Sequence, residues 1–512
     1  MARVSDVSDQ RGNCEVNKKR SDHANRMDVD EEQTHQKEQA EDEYLVTWKG
    51  PDDKDNPKNW NQTRKWLATF LISGICLSTL MSSTMIAASL DDIARDLNIG
   101  GSADTVVQLA LSAFVLSFAF APMFFGPLSD IYGRVGVLQG ANLFFLVWTV
   151  VSGFSQNKSV LIVGRLFSGI GGGAIYAIGS GFLGDVWAAS ERGKSFAIYN
   201  AVPLLGPTLG PLLGGIITFR IGWRWIFWIM AIFDAAVLLP TLVLPRETHA
   251  RTILYRRMRK QGADSPGAVD KLHTVWDKLT GDDNKRNARK AITQSSTSAF
   301  VVLASQQVLQ IIAVYQAILY GIMFIALSTF ASIWTNVYHE TTTQSGLHYI
   351  SVAIGSGTAS IGGALLNDKI WRHLSRNGNV VPEHRVLLMI PGAIIVPVGL
   401  FWYGWSVQMQ LHWIIPDIGM ALFFFGISLS GNSMTAYVID TYPDHTASAM
   451  AAVTFLRSIM GFAFPLFAPR LYTALGYGWG NSLLAFVVIV IGWPIPLFLK
   501  FYGLALRKRS GL

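Results

Sequence analysis

Charged residues are scarce in this chain. They make up 15% of its 512 residues, whereas a soluble domain carries about 25%. Half of the residues are apolar, and the mean hydropathy is +0.31. This shortage of charge excludes an ordinary soluble globular protein, and it predicts a membrane protein with the lipid bilayer as its surroundings.

Cysteine is also nearly absent, since the sequence holds only Cys14 and Cys76. One lies in the polar start of the chain and the other in the first apolar run, so they do not indicate a disulfide framework. The sequence has no HExxH, CxxC or GxSxG motif, and no histidine cluster in its apolar runs. We therefore predict that the protein is not an enzyme and needs neither a metal nor a cofactor.

Twelve runs of low charge are long enough to cross a membrane as helices. A helix needs roughly 20 apolar residues to span a hydrocarbon core about 30 Å thick with its backbone hydrogen bonds satisfied internally. This pattern predicts an all-α membrane protein whose twelve transmembrane helices form two six-helix bundles by internal duplication. The predicted spans are 66–88, 105–125, 137–155, 160–183, 195–217 and 224–244, then 311–335, 347–366, 385–404, 413–436, 447–469 and 482–503.

Polar segments divide the chain around the two sets of spans. Residues 1–65 are a predicted disordered tail, because the first 60 residues hold 10 Lys and Arg against 15 Asp and Glu with few apolar clusters. The central loop 245–310 carries 12 basic and 6 acidic residues, and a short tail follows at 504–512. The N-terminal bundle is therefore predicted at 66–244 and the C-terminal bundle at 311–503.

Basic residues determine the predicted orientation, since cytosolic loops carry the excess of Lys and Arg. The basic groups before span one, between spans two and three, in the central loop and at the C-terminus all fall on one side of the spans. We therefore expect both termini in the cytosol and a multi-pass protein of the plasma membrane, with a vacuolar membrane as the alternative. The net charge of +7 reflects this topology and does not indicate nucleic-acid binding.

A tight, charged elbow, "GPLSDIYGRVGV", separates spans two and three. Gly126 and Gly133 allow the helix to end and the chain to reverse, while Asp130 and Arg134 place opposite charges beside them. A carboxylate next to the N-terminus of another helix gains stabilisation that is lost when the helices separate. We therefore predict a cytosolic latch that holds one conformation, with a simple capped loop as the alternative.

Two ionisable side chains lie deep in the predicted spans. Arg165 falls within span four, where an unpaired cation costs roughly 2.5 kcal/mol or more, and it should face a polar cavity. Asp234 lies near the middle of span six, and intramembrane carboxylates are functional candidates by default. We predict that Asp234 either carries a proton or serves as a structural group bonded to a neighbouring helix.

Span five contains the segment "GPTLGPLLGG". Its prolines remove backbone donors and kink the helix, while its glycines remove side-chain bulk. The segment therefore predicts a bend where two half-bundles meet closely, with an ordinary kinked helix as the alternative. The residues concerned are Gly206, Pro207, Gly210, Pro211, Gly214 and Gly215.

Together these segments resemble the major facilitator superfamily. The elbow is similar to its loop signature G-x-L-x-D-x-x-G-R, although Ile131 and Val135 replace residues that are commonly basic there. Asp185 resembles the acidic partner of the elbow arginine, Arg165 resembles an arginine that couples protonation to substrate, and "GPTLGPLLGG" resembles the antiporter signature. With "WKGPDDKDNPKNWNQTRKW" before span one and "YVIDTYPDHTASAMAA" after span ten, residues 44–503 resemble the fungal twelve-span drug:proton antiporters.

This resemblance implies a monomeric secondary active exporter, driven by protons, of small organic compounds such as drugs, toxins, fungal secondary metabolites or polyamines. A proton-coupled nutrient importer of the same fold is the alternative. Polar side chains within the apolar spans are candidates for the wall of a substrate cavity, although helix packing is the alternative role for each. These candidates are Gln108, Asn200, Tyr315, Tyr320, Asn432 and Tyr437.

Overall fold

A computed structural model of the chain separates into two compact units. The smaller contains residues Met1–Asn59 and Ala250–Lys285, and the larger contains Trp60–His249 and Arg286–Leu512. Asn200 lies outside the described residues. The structure describes residues 45–50, 52–99, 105–187, 191, 195, 198–199, 202–203, 205–243, 246–264, 273–274, 297, 299–375, 382–442 and 446–509.

Helices make up the larger unit in the part of the chain that the structure describes. Nine of its helical stretches are long and apolar enough to cross a membrane. Spans five and eight add two more helices, and the stretch that begins at Thr446 contains two spans joined at Gly476, where φ is 71°. Helices therefore lie within each of the twelve predicted spans in the described part of the chain, which confirms the predicted fold class; residues 196–197, 200–201 and 204 of predicted span five lie outside the described residues.

The helices have the following bounds. Spans one to six are Gln62–Thr84, Thr105–Tyr132, Arg134–Gly153, Lys158–Val186, Gly206–Ile221 and Arg224–Val243. Spans seven to ten are Gln307–Asn336, Tyr349–Ser375, Met389–Gln408 and Ile414–Thr441, and spans eleven and twelve share Thr446–Gly492. Shorter helices are Leu90–Asp96, Thr342–Leu347 and Pro494–Arg509, with 3-10 turns at Met85–Ser89 and Pro382–Leu388.

Asparagine side chains cap two of the spans. The Asn61 side chain accepts a hydrogen bond from the Arg64 N–H at 2.9 Å, and the Asn157 side chain accepts one from the Val160 N–H at 2.9 Å. Each cap satisfies one of the backbone donors that a helix leaves unpaired in its first turn. Spans one and four therefore begin where the sequence supplies an Asn.

Buried apolar side chains form separate cores in the two halves. The N-terminal half packs around one cluster that includes Phe114 and another that includes Phe227. The main cluster of the C-terminal half includes Phe330, and Ala88 and Met123 from the N-terminal half also belong to it. The two six-helix halves are therefore distinct bundles that touch each other.

Glycines in span four allow its close packing. A Cβ on Gly169 would lie 2.5 Å from the Phe114 carbonyl oxygen of span two, and one on Gly171 would lie 2.7 Å from the Ala141 carbonyl oxygen of span three. In a bilayer, helices associate through such small-residue contacts rather than through hydrophobic burial. The glycine-rich run thus holds span four against both of its neighbours.

The smaller unit joins parts of the segments predicted as tail and central loop. Leu45–Val46 and His273–Thr274 form a short parallel pair of strands. In the helix Ala250–Asp264, the Arg257 guanidinium lies 2.9 Å from the Asp53 carboxylate and 2.8 Å from the Asp55 carboxylate. Its hydrogen bond to Asp53 holds the pKa of that carboxyl well below its usual range. The described part of both segments therefore has regular, ion-paired structure.

Candidate functional site

The elbow brings three of the predicted latch residues together. The Arg134 guanidinium lies 2.5 Å from the Asp185 carboxylate of span four and 3.3 Å from the Asp130 carboxylate of span two. Gly133 has φ of 105°, a conformation that favours glycine, and the chain reverses there. Gly126 lies inside the span-two helix, which continues to Tyr132, so the reversal rests on Gly133 alone.

Two further residues, which were not among the predicted site residues, complete the elbow. The Glu247 carboxylate, which follows span six, accepts a hydrogen bond from the Arg134 backbone N–H at 2.9 Å. It therefore places negative charge at the N-terminus of span three, where a helix favours it. Gly181 of span four faces the Arg134 guanidinium so closely that a Cβ there would collide with it. We call Asp130, Gly133, Arg134, Asp185 and Glu247 the elbow cluster.

Arg165 is fully buried between spans one, two and four. Its Nε donates to the Ala110 carbonyl at 3.1 Å, and one terminal nitrogen donates to the Ser82 hydroxyl at 3.1 Å. The other terminal nitrogen lies 3.4 Å from the Ser83 carbonyl, and the guanidinium lies 4.4 Å from the centre of the Phe114 ring. Neutral oxygens and one aromatic face thus satisfy this intramembrane cation.

Asp234 is fully buried inside the N-terminal bundle. The Ser78 hydroxyl of span one donates to its carboxylate at 2.6 Å. The Asn142 amide of span three lies 3.2 Å away when it is oriented to donate to the same carboxylate. Ser78 and Ser82 are one helical turn apart on one face of span one. Span one therefore connects Asp234 and Arg165, the two predicted coupling residues.

The glycines of span five pack directly on span one. A Cβ on Gly206 would lie 2.8 Å from the Leu80 Cβ, and one on Gly210 would lie 2.8 Å from the Met81 carbonyl oxygen. At Gly214 a Cβ would collide with the Met85 carbonyl oxygen. Pro207 lies in the first turn of the helix and Pro211 lies inside it. Side chains at these three glycine positions would separate the two spans.

Gly215 faces the other half of the molecule. A Cβ there would lie 2.7 Å from the Thr342 carbonyl oxygen and 3.2 Å from the Gly346 Cα. Close by, the Thr335 hydroxyl of span seven donates to the Asp91 carboxylate at 3.1 Å. The two bundles therefore touch at the end of the molecule opposite the elbow.

The predicted cavity residues have different surroundings. The Arg457 guanidinium of span eleven lies over the Tyr320 ring, with its central carbon 5.1 Å from the ring centre. Tyr315 packs against Gly492, and Tyr437 lies near Gly503 inside the C-terminal bundle. The others that are described are Gln108, which is buried in span two, and Asn432, which is exposed.

Arg457 is an intramembrane arginine that was not among the predicted site residues. Like Arg165 in span four, it is a cation inside an apolar run, "AAVTFLRSIM" of span eleven, so the same pattern predicts it. The sequence indicates Glu247 only weakly, because "LPRET" places an acid on the predicted cytosolic side without indicating its partner. The sequence does not indicate a role for Gly181, since only the fold shows which side chain it faces.

Comparisons with known proteins agree with this architecture. A family model described as Major Facilitator Superfamily matches residues 70–465. The efflux pump vrtL of Penicillium aethiopicum is 39% identical, over 92% of this chain and 91% of its own length. The probable efflux pump mfs2 of Aspergillus flavus is 38% identical, over 83% and 99%. The xylose transporter XylE of E. coli, in a partially occluded inward-open conformation, matches with a TM-score of 0.62 and 16% identity over 86% and 98%.

Proposed function

Because the chain belongs to the major facilitator superfamily, we propose that it is a secondary active exporter that exchanges small organic compounds for protons. The observation that carries the proposal is the span-five helix, whose glycines pack on span one and on the opposite bundle. The names of two relatives, both efflux pumps, support the same direction of transport. Its substrate leaves chemically unchanged, so the protein acts as a transporter and not as an enzyme.

Transport proceeds by rocking of the two bundles about a site between them. In the described conformation the contacts of Gly215 and Asp91 close the end opposite the elbow. Opening that end requires these contacts to separate. The elbow cluster fastens spans two, three and four to the segment after span six, so it holds the N-terminal bundle in one arrangement.

The proton follows the polar groups along span one. Asp234 takes up and releases the proton, because it is the carboxyl group bonded to Ser78 inside the N-terminal bundle. Arg165 responds through Ser82, one turn further along the same helix. Each group biases the packing of span one, which also contacts span five. Protonation of Asp234 thereby affects the face where the two bundles meet.

The orientation proposed from the basic residues places both termini, the elbow and the central loop in the cytosol, in a monomer of the plasma membrane. A peptide tag inserted in the central loop should be protected from antibody in intact cells and labelled after permeabilisation. A tag in the short connection between spans three and four, at Gln156, should be labelled in intact cells. Labelling of the central-loop tag without permeabilisation would contradict this topology.

Export is tested by accumulation in cells that express the protein. Such cells should retain less rhodamine 123, spermidine or fluorescein than control cells for at least one of the three, and a protonophore should abolish the difference. Accumulation above the control would instead favour the importer of the same fold. Export that persists after the proton gradient has collapsed would contradict the coupling to protons.

A further inference from the structure

Arg457 presents its charge where the two bundles meet. It lies in span eleven of the C-terminal bundle, with its guanidinium carbon 5.1 Å from the centre of the Tyr320 ring of span seven. Gly461, one turn further along span eleven, shows what surrounds this place, because a Cβ there would lie 2.9 Å from the Tyr320 ring and 3.1 Å from Val115 of span two. Spans two, seven and eleven therefore converge beside Arg457.

A second tyrosine approaches the same place from the N-terminal bundle. Tyr176 of span four interacts electrostatically with both Arg457 and Tyr320. All three side chains are only partly buried. One cation and two phenol rings thus share a partly open position between the halves.

Arg457 differs from Arg165 in the state of its hydrogen bonds. Arg165 donates to two carbonyls and a hydroxyl. In the part of the chain that the structure describes, Arg457 forms no ion pair, and its buried Nε has no hydrogen-bond partner. An intramembrane guanidinium needs either a counter-charge or, as at Arg165, a set of carbonyl and hydroxyl acceptors, and the described residues provide neither for the Arg457 Nε. A ligand with a negative group would supply both a counter-charge and an acceptor.

We infer that Arg457, Tyr176 and Tyr320 bind the anionic group of an aromatic organic acid, a carboxylate or an acidic phenol. The planar guanidinium can donate two parallel hydrogen bonds to a carboxylate. The two tyrosine rings offer faces and edges for an aromatic ring, and their hydroxyls can donate to the same anion. This inference rests on the proposed export function and narrows its substrates, because the arginine disfavours polyamines and other cations.

Two dyes with the same ring system and opposite charge test the inference. Fluorescein carries a carboxylate and an acidic phenol, whereas rhodamine 123 is a cation on the same tricyclic frame. Fluorescence polarisation with the purified full-length protein should show at least tenfold tighter binding of fluorescein. Arg457→Gln should weaken fluorescein binding about tenfold or more and leave rhodamine 123 binding unchanged or stronger, and Arg457→Lys should restore part of the loss.

Arg470→Gln is the matched control, since Arg470 is an exposed arginine at the far end of the same span, and it should bind fluorescein like the wild type. Thermal unfolding checks that each variant is folded. Tyr320→Phe keeps the aromatic ring, so it should lose less affinity for fluorescein than Tyr320→Leu. Equal fluorescein binding by wild type and folded Arg457→Gln would overturn the anion site and leave export standing. Fluorescein binding through Arg457 without any transport in vesicles would contradict the export function alone.

Discussion

At the scale of single residues, Arg134 forms ion pairs of unequal strength with two carboxylates. The Asp185 side chain is 22% exposed and lies 2.5 Å from the guanidinium, whereas Asp130 is 56% exposed and lies 3.3 Å away. Solvent screens the second pair, and exposed ion pairs contribute about 0–1 kcal/mol. The strength of the elbow cluster therefore depends on Asp185 more than on Asp130, although Asp130 belongs to the more obvious sequence motif.

This difference leads to a first prediction. Asp185→Asn should leave the protein abundant and inserted but slow transport several-fold, because about 1 kcal/mol suffices to shift two conformations a few-fold. Asp130→Asn should slow it less. Initial rates of dye export, normalised to surface protein, measure both effects. Wild-type rates in a correctly inserted Asp185→Asn protein would show that this ion pair is no latch.

Gly181 makes room for the same arginine. A methyl group there would collide with the Arg134 guanidinium, so Gly181→Ala should displace the arginine from Asp185 and slow transport as Asp185→Asn does. Gly184→Ala is a matched control three residues along the same helix, where a Cβ would meet nothing within 4 Å. The same initial-rate assay compares them. Equal rates in the two alanine variants would show that Gly181 is not needed to place Arg134 against Asp185.

Most of the charged site residues could be predicted from the sequence, because a charged side chain inside an apolar run is evident there. Arg165 and Asp234 were found in this way, and Arg457 could have been. Their partners could not be identified, since Ser78 lies 156 residues from Asp234 and only packing brings the two together. Glu247 was missed for the same reason, as it bonds to a backbone group 113 residues away.

At the scale of elements, hydropathy located the spans better than it located their ends. The span-two helix continues to Tyr132, beyond the predicted end at 125, and the span-eight helix continues to Ser375, beyond 366. An apolar run marks only the part of a helix that lies in lipid, and a polar continuation such as "NDKIWRHLS" remains helical beyond it. The pairing of Asp53 with Arg257 joins segments about 200 residues apart, which local sequence cannot indicate.

The connection between spans seven and eight is held by a histidine between two acids. His348 lies 2.9 Å from Glu340 and 2.7 Å from Asp417 of span ten, and it stacks on Trp334 with ring centres 3.6 Å apart. A cavity of about 640 Å³ lies beside it. Burial lowers the pKa of His348, but hydrogen bonds and charges from Asp417 and Glu340 outweigh burial and raise it above its usual value.

The raised pKa predicts a pH dependence of stability. Protonated His348 is favoured by folding, so its contribution is complete below the unfolded value of about 6.5 and is lost as pH rises through the higher folded value. The thermal midpoint of purified wild type should therefore fall, relative to that of His348→Gln, as pH rises above about 6.5. Replacement of the exposed His412 by Gln should leave the wild-type profile. Parallel profiles for wild type and His348→Gln would refute the charge on His348.

At the scale of the whole molecule, one contact between the halves is formed by the smallest side chains. Gly215 and Gly346 allow the bundles to touch at the end opposite the elbow, and the Thr335–Asp91 hydrogen bond lies nearby. Such a contact is lost almost entirely when the helices move apart, because close packing falls off over a short distance. At that end the halves are therefore either in contact or apart, and a proton that drives transport must change the balance between these two states.

The last prediction concerns how a proton biases this state. Asp234→Asn keeps a group that can bond to Ser78 but cannot gain or lose a proton. In vesicles it should retain exchange of substrate across the membrane and lose the acceleration that an imposed pH gradient gives to wild type. Ser78→Ala is the comparison variant, because it removes the hydrogen bond, worth about 1 kcal/mol, that joins Asp234 to span one and leaves the carboxyl group in place; its response to the gradient should be weakened but not lost. If Asp234→Asn responds to the gradient as wild type does, Asp234 is a structural group that joins spans one, three and six, and the proton binds elsewhere.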